Sequence, residues 1–527
     1  MAHQYRIVTN TEPEKDPLNN ENHEKFDRRM PMSLSKWQLT CLTISMGGLQ
    51  VTWVTIMAEG SPFLLSLGLA PSLISLVWLA GPICGTVLQP FLGYKSDACT
   101  HKWGRRKPFI FYGTIGGIVS MNLLAWTKEI IWLICYILSV DPYALGPTLI
   151  TKILAIACIW ALNVSLQPVQ VGLRSLTVDS CPPSQQVTAS SFTSCIVILG
   201  SIIGYGCGFL KMPIPNITGW IENSQFKGLC LLASILLGLT VAITLTTTRE
   251  NSPATDYPLL KKVGFRQIFP EIYKTTRSLP RKIKMVFEQT FILIAKMGPP
   301  STRFYNALHE QSLRHGTLAL LLFSCVALVT NIGLPYMVRQ EISNTTSQFV
   351  RKEKRSCARM GTYMSISRAW MSSHVLMSVC LFGLTVGDSF ISSVVFVALL
   401  GVCWGLTQWA PFAIIGEEIA TDPKPNISSH CISEPPSPRR QYFDDNRDVE
   451  SKDYDHQQGN IKSMAATAMG VHNIAIAMPQ MVSAVTSSLI FGISGPSHLG
   501  PVEALAWILR VGVVAGACTA YLARRIE

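Results

Sequence analysis

Apolar runs of about 20 residues, the length that carries an α-helix across a bilayer, recur along this chain. Short polar segments separate them, and only 14% of the 527 residues are charged, against roughly 25% in soluble domains. The net charge of +12 is spread over the polar loops, a pattern that matches a lipid bilayer as partner and not a nucleic acid. The sequence therefore predicts an all-α integral membrane protein.

The apolar runs give eleven clear spans. They are 37–58, 71–92, 109–126, 153–178, 190–210, 226–246, 316–338, 374–386, 391–416, 464–491 and 502–521. The first span is expected to end at Glu59-Gly60-Ser61-Pro62. The apolar stretch 130–140 is too short to cross as a helix, and it is expected to be an external loop element.

The polar segment 93–108, called here the motif segment, lies between the second and third spans and carries five Lys or Arg against one Asp. The positive-inside rule places it in the cytoplasm, and counting crossings places both termini there. Its glycines allow close approach and positive φ, and its aspartate can accept hydrogen bonds from its paired arginines. The alternative is a plain basic loop. The candidate gate residues are Gly93, Asp97, Gly104, Arg105 and Arg106.

Spans and loops together suggest a division of the chain into domains. They are a cytoplasmic tail 1–36, a six-helix bundle 37–247, a central cytoplasmic loop with a defective seventh span 248–315, a second helix bundle 316–523 with a polar insert 417–462, and a tail 524–527.

The seventh span is the irregular feature of this division. Region 248–315 holds twelve Lys or Arg against five Asp or Glu, and the loop 339–373 is basic as well. Two loops on the same side need two crossings between them, yet only 316–338 is a clear span there. The stretch 285–297 is too short and contains charged residues. Either a degenerate span is pulled through by its neighbours, or the sequence is truncated or mis-spliced.

Several motifs resemble one transporter family. The motif segment resembles the loop between helices 2 and 3 of the major facilitator superfamily. Its Trp103–Pro108 part looks like the sucrose-transporter branch of the glycoside-pentoside-hexuronide:cation symporters, and Gly60–Leu69 is similar to a signature of fungal sucrose/maltose permeases. Further similar motifs are 78–82, 89–90, 162–174, 409–418, Asn473 and 479–480. The family has a full seventh helix, from which region 285–315 departs.

The resemblance implies twelve spans in two six-helix bundles and a proton-coupled symporter for sucrose- or maltose-type α-glucosides. Its partners are then a sugar, a proton and the bilayer, with no cofactor or metal, in the plasma membrane in preference to the vacuole. A second hypothesis is a non-transporting sugar sensor or an inactive product, because the seventh span is degenerate. The sequence has no Walker A, H-E-x-x-H or G-x-S-x-G motif in a fitting context, which argues against an enzyme.

The fourth span carries a polar stripe. Asn163, Gln167, Gln170 and Arg174 lie at offsets of four, seven and eleven, which places them on one helix face. Polar side chains are costly inside a membrane and tend to mark a pathway. This stripe supplies amides and a cation for sugar hydroxyls, although Arg174 could instead snorkel to the interface. The resemblance ties the matching arginine to substrate binding, and plant members carry Asp where Asn163 stands.

Other spans supply further candidates. Asn473 and Gln480 share a stripe, where interhelical hydrogen bonding is the alternative role. Trp53 and Trp404 could stack on a sugar ring or pack between helices. Proton coupling needs an ionisable group, and for each candidate acid a solvated helix end is the alternative. The candidate acids are Glu59, Asp179, Glu417 and Glu418.

Overall fold

The computed structural model describes residues 33–209, 225–250, 265–294, 310–337, 365–386, 389–420 and 465–494, together with 510, 513 and 521. Within these ranges the regular structure is helical and no strand occurs. Seven of the described helices are long and apolar enough to cross a membrane, and Leu318–Gly333 is a shorter apolar stretch. The prediction of an all-α membrane protein is therefore confirmed. Most of the predicted span 502–521 and most of the insert 417–462 lie outside the described residues.

The helices are numbered in chain order. They are α1 Lys36–Ser66, α2 Pro71–Val77, α3 Ala80–Asp97, α4 Lys107–Ala125, α5 Thr127–Ile137, α6 Leu145–Ser180, α7 Gln186–Phe209, α8 Gln225–Thr247, α9 Phe265–Ser278, α10 Arg281–Ile294, α11 Glu310–Met337, α12 Ile366–Val386, α13 Phe390–Ala420 and α14 Ala465–Ser494. A short 3-10 turn, Pro183–Gln185, precedes α7.

Helix α1 extends further than the sequence predicted. A capping box begins it, in which Gln38 N donates to Ser35 Oγ (3.2 Å) and Ser35 N donates to Gln38 Oε1 (2.9 Å). The expected end at Glu59 is wrong, because the helix continues through Pro62 to Ser66. Packing accounts for the extension, since the ring of Phe63 stacks on Phe226 with centroids 4.3 Å apart. Tertiary contacts thus override a local stop signal.

Two other local predictions also need correction. The stretch 130–140, expected as a loop element, lies largely in helix α5, whose Thr127, Ile131 and Cys135 are buried on one face. The predicted span 374–386 begins eight residues early, at Ile366, because this turn packs Ile366 and Trp370 into the core. In both places a buried face, and not mean apolarity, sets the extent of the helix.

The first bundle consists of α1, α3, α4, α6, α7 and α8. Helices α1, α4, α6, α7 and α8 share one apolar core, and α3 packs against α6. Glycines bring the backbones of its helices together. A Cβ on Gly200 of α7 would lie 2.6 Å from the carbonyl oxygen of Gly47 in α1, so only glycine fits at this crossing. Such small-residue contacts are a usual way for membrane helices to associate, since lipid gives no hydrophobic drive.

The second bundle includes α11, α12, α13 and α14, and its contacts define the helix directions. Gly401 of α13 meets Phe323 of α11, and Gly405 meets Ala327 and Asn331, so these two helices run parallel. Cys403 lies on Ser373 of α12, and Gly383 of α12 meets Phe396, so α12 runs antiparallel to α13.

The two bundles meet on the side of the membrane where the motif segment lies, called here the motif side. On this side α14 begins beside Gly93, and Gly416 near the end of α13 meets Gln186 at the start of α7. An apolar cluster joins the bundles there, with Val171 and Val178 of α6 packed among residues of α13 and α14. The motif side is therefore closed. The opposite side is called the far side.

Candidate functional site

A polar wall lies between the two bundles, on the facing surfaces of α3, α6 and α14. Gln89 Nε2 donates to Gln167 Oε1 (2.8 Å) and to Gln170 Oε1 (3.0 Å). From the other bundle, Asn473 Nδ2 donates to the carbonyl oxygen of Gly85 (3.0 Å). A Cβ on Gly85 would lie 2.8 Å from that same amide, so glycine is needed for the approach. Three helices from two bundles thus hold one amide-rich surface.

Two side-chain oxygen atoms of this wall lack a hydrogen-bond partner in the described structure. Gln89 Oε1 and Asn163 Oδ1 are buried and have no hydrogen-bond partner among the described residues. A Cβ on Gly81 would lie 3.2 Å from Asn163 Oδ1, so that oxygen points towards α3. Buried polar atoms without partners are costly, by about 1–3 kcal/mol each. They are therefore candidate contacts for a polar ligand such as a polyol.

Arg174 lies one turn beyond this wall towards the motif side. Its guanidinium carbon is 4.1 Å from the ring centroid of Phe412 in α13, a cation–π geometry. The imidazole of His472 in α14 packs edge-on against the same ring, with centroids 4.9 Å apart. Nη1 of Arg174 is buried and has no hydrogen-bond partner within the described ranges. The cluster Arg174–Phe412–His472 thus links α6 of the first bundle to α13 and α14 of the second.

The motif segment holds a buried ion network. Arg106 is 0% exposed; its Nη2 lies 2.7 Å from Asp97 Oδ1 and its Nε lies 2.9 Å from Asp179 Oδ2. Arg105 also reaches Asp179, at 3.4 Å. Burial lowers the pKa of Arg106, but the carboxylates of Asp179 and Asp97 raise it more strongly, so its pKa lies above the usual value. Arg106 therefore stays charged and holds both carboxylates.

Asp97 also joins the two bundles. Its carboxylate accepts from Ala466 N (3.2 Å), Thr467 N (2.7 Å) and Thr467 Oγ1 (2.5 Å) in the first turn of α14. A helix N-terminus carries unsatisfied N–H groups and a partial positive charge, so an anion is favoured there. A residue of the first bundle thus serves as the cap of a helix in the second.

Glu250 completes the network from the end of the first bundle. Its carboxylate accepts from the backbone N–H groups of Arg106 (3.1 Å) and Lys107 (2.9 Å) at the start of α4. Gly104 has a φ of +114°, and a Cβ there would overlap Glu250 Oε2. Glycine is thus required at this position for two separate reasons.

The remaining predicted residues are spread over the molecule. Trp53 is half-buried against the core of the first bundle, and Trp404 packs within the second bundle on Phe323, with centroids 6.3 Å apart. Glu59 is half-buried in α1, one turn before Phe63. Gln480 is half-buried in α14, and Glu417 and Glu418 are half-buried near the motif-side end of α13.

The structure adds site residues that are not among the candidates predicted from the sequence. Gln89 and Phe412 are part of motifs that resemble the transporter family, whereas His472 and Glu250 belong to no such motif. A signal existed for Gln89 and His472, since each is a polar side chain inside a predicted span. Glu250 gave no such signal, because it lies in a basic polar region far from the motif segment in sequence.

Gly93 gives a direct test of how the motif side closes. A Cβ on Gly93 would overlap the carbonyl oxygen of Ala466 across the bundle interface. Overpacking of this kind costs about 1–3 kcal/mol, so Gly93→Ala is expected to weaken closure about 10- to 100-fold. Ala468 of α14 is 1% exposed, so a cysteine at this position should react with maleimide only when the motif side opens. In an Ala468→Cys background, Gly93→Ala should therefore raise maleimide labelling at position 468. The matched control is Gly206→Ala, since a Cβ there would meet no side chain or neighbouring helix within 4 Å in the described part of the chain. Equal labelling of both variants would contradict the prediction.

The described helices form two bundles that meet around a polar wall, with an ionic closure on one side, and this arrangement is that of a membrane transporter of the major facilitator type. Residues 44–274 match the family described as MFS/sugar transport protein. Over these residues, which include most of the first bundle, the chain is similar to sugar transport proteins of the major facilitator type.

Relatives that match most of the chain are transport proteins as well. The chain is 25% identical to the general alpha-glucoside permease of Schizosaccharomyces pombe, over 96% of each chain. It is 24% identical to a sucrose transport protein of Oryza sativa subsp. indica, over 89% of this chain and 87% of that one. These relatives are permeases and transport proteins, which confirms the prediction of a transporter and not an enzyme.

Solved structures support the fold. A bacterial homologue of the iron transporter ferroportin in an outward-facing state matches with a TM-score of 0.53 at 12% identity, over 93% of this chain and 99% of that one. A proton:xylose symporter of the major facilitator superfamily matches with a TM-score of 0.52 at 12% identity, over 92% and 94%. Both matches extend over the two bundles.

Proposed function

We propose that this protein is a proton-coupled symporter of sucrose- or maltose-type α-glucosides that works by alternating access. The observation that carries the proposal is the amide wall between the bundles, where Gln89 Oε1 and Asn163 Oδ1 are buried without partners in the described structure. A disaccharide offers many hydroxyl groups to such atoms. The full-length relatives, an alpha-glucoside permease and a sucrose transport protein, support the same substrate class.

The closure on the motif side supplies one end state of alternating access. Asp97, Arg106 and the start of α14 lock the bundles together there. Opening this side requires these bonds to break, and the sugar then leaves towards the motif side. The basic charge of the motif segment makes that side the cytoplasmic one in this proposal. Uptake is then from the far side, at the plasma membrane.

The proposal requires a complete second bundle, and α10 supports this. Leu279, Ile283 and Val286 are buried in the apolar cluster on the motif side. Helix α11 runs parallel to α13 and, with 28 residues at about 1.5 Å each, begins on the far side. Val286 therefore lies on the motif side and the start of α11 on the far side, as a seventh crossing between them requires. This favours a degenerate seventh span over a truncated product.

Uptake of labelled sucrose and maltose tests the proposal. Cells that lack their own α-glucoside transport would express the chain, with surface expression verified, at acidic and neutral outside pH. Saturable uptake that rises at acidic pH is the expected result. Surface protein without uptake of either sugar would reject the symporter and favour a non-transporting sensor.

A further inference from the structure

We propose that His472 binds the transported proton, and that its charge beside Arg174 separates the two bundles on the motif side. This inference rests on the proposed symport function and names the group that carries its proton. His472 is 0% exposed and lies in α14 of the second bundle, whereas Arg174 belongs to α6 of the first. A like charge on His472 would therefore act across the interface that must open.

Phe412 fixes the geometry of the pair. The guanidinium of Arg174 lies over its face, 4.1 Å from the ring centroid, and the imidazole of His472 meets it edge-on at 4.9 Å. His472 is fully buried and Nη1 of Arg174 is buried as well. Charges at such buried positions are screened far less than at a surface. Neutral imidazole fits this closed arrangement, and imidazolium does not.

The cluster of Arg174, Phe412 and His472 lies close to the ionic closure on the motif side. His472 follows Thr467 by five residues and Arg174 precedes Asp179 by five, so on both helices the cluster lies about 7.5 Å from the ionic closure. Repulsion at the cluster acts on α14 directly beside the point where Asp97 caps it. Protonation of His472 is thus placed to weaken the closure on the motif side.

The charged groups around His472 point to Arg174 as its electrostatic partner. On α6, Arg174 shares the ring of Phe412 with His472. On α3, Asp97 is engaged at the first turn of α14, and on α13 the acids Glu417 and Glu418 lie more than one turn beyond Phe412. Among the charged side chains of α9 and α10 whose burial the structure describes, all are half-buried or exposed; they are Lys274, Arg277, Arg281, Lys282, Lys284 and Glu288.

The proton balance of the cycle is simple. A proton from the far-side solution adds to an imidazole nitrogen of His472 while the motif side is closed. The bundles then separate on the motif side, water reaches both cations, and a hydrated imidazole returns its proton near neutral pH. The sugar leaves in the same step. One proton crosses for each sugar, and no other bond is formed or broken.

His472→Gln tests this role, since glutamine keeps a polar side chain but cannot carry the proton. We expect the variant to lose sugar accumulation above the outside concentration and to lose acid stimulation of uptake. Exchange of labelled for unlabelled sugar, which needs no net proton movement, should persist and shows that the variant is folded. The matched control is His374→Gln, a second buried histidine, 1% exposed in α12, which should keep the wild-type pH profile.

A second measurement makes the inference independent of the substrate assignment. In Ala468→Cys membranes, maleimide labelling of the 468 peptide should rise at acidic pH, and His472→Gln should abolish this rise. Acid-stimulated accumulation that survives in His472→Gln, or a pH-dependent labelling that is unchanged in it, would overturn the proposal. Absence of α-glucoside uptake by the wild type, together with histidine-dependent labelling, would instead reject the substrate assignment and keep the proton site.

Discussion

Arg174→Lys is expected to reduce sugar uptake about 10- to 100-fold at a fixed low sugar concentration. A guanidinium offers a planar fork of N–H donors and stacks on an aromatic ring, whereas an ammonium does neither. Hydrogen bonds from charged groups contribute about 1.5–3 kcal/mol, and each 1.4 kcal/mol corresponds to about a tenfold change. Nη1 of Arg174 has no partner in the described structure and is free to bind a sugar hydroxyl.

The measurement for Arg174 is initial uptake over a range of sugar concentrations, normalised to surface protein. Arg277→Lys, on the exposed face of α9, is the matched control and should behave as wild type. If Arg174 only anchors the helix at the membrane interface, lysine would replace it without loss. Wild-type uptake by Arg174→Lys would therefore exclude a substrate contact.

Asp97→Asn is expected to shift the transporter towards an open motif side and to lower uptake more than tenfold. Asparagine removes the charge that faces Arg106 and the first turn of α14, while leaving the side-chain volume nearly unchanged. Breaking one partner of a buried ion pair costs about 3–5 kcal/mol. The closed state loses this free energy and the open state does not, so the equilibrium between them moves towards opening.

Labelling at position 468 reads this shift without reference to any substrate. In the Ala468→Cys background, Asp97→Asn should raise maleimide labelling, because Ala468 is 1% exposed only while the motif side is closed. Asp141→Asn is the control, since Asp141 is exposed in the turn before α6. Unchanged labelling in Asp97→Asn would mean that the apolar cluster alone closes the bundles.

The polar stripe on the fourth span shows how much of the site a sequence pattern can predict. Offsets of four and eleven from Asn163 place Gln167 and Arg174 on its helix face, and the structure turns that face towards the other helices. The pattern did not show that these residues divide between two sites. Gln167 bonds to Gln89 of α3, whereas Arg174 meets Phe412 of α13, because different helices cross α6 at different depths.

The ionic closure on the motif side was also only partly predictable from the sequence. The turn glycine Gly104 and the charged residues of the motif segment could be selected from the sequence, since turn chemistry is local. The cap that Asp97 makes on Thr467 joins residues 370 positions apart. Glu250 reaches Arg106 over 144 positions. No periodicity or composition encodes such pairings.

The sequence by itself determined the all-α membrane class, most helices and the polar faces, because apolar length and helical periodicity are properties of neighbouring residues. Only the tertiary structure decided that α1 continues through Pro62, that Asp97 caps a helix of the other bundle, and that His472 and Arg174 share one aromatic ring. These features depend on how helices far apart in the chain cross one another. That arrangement is set by close packing of small and large side chains over the whole interface.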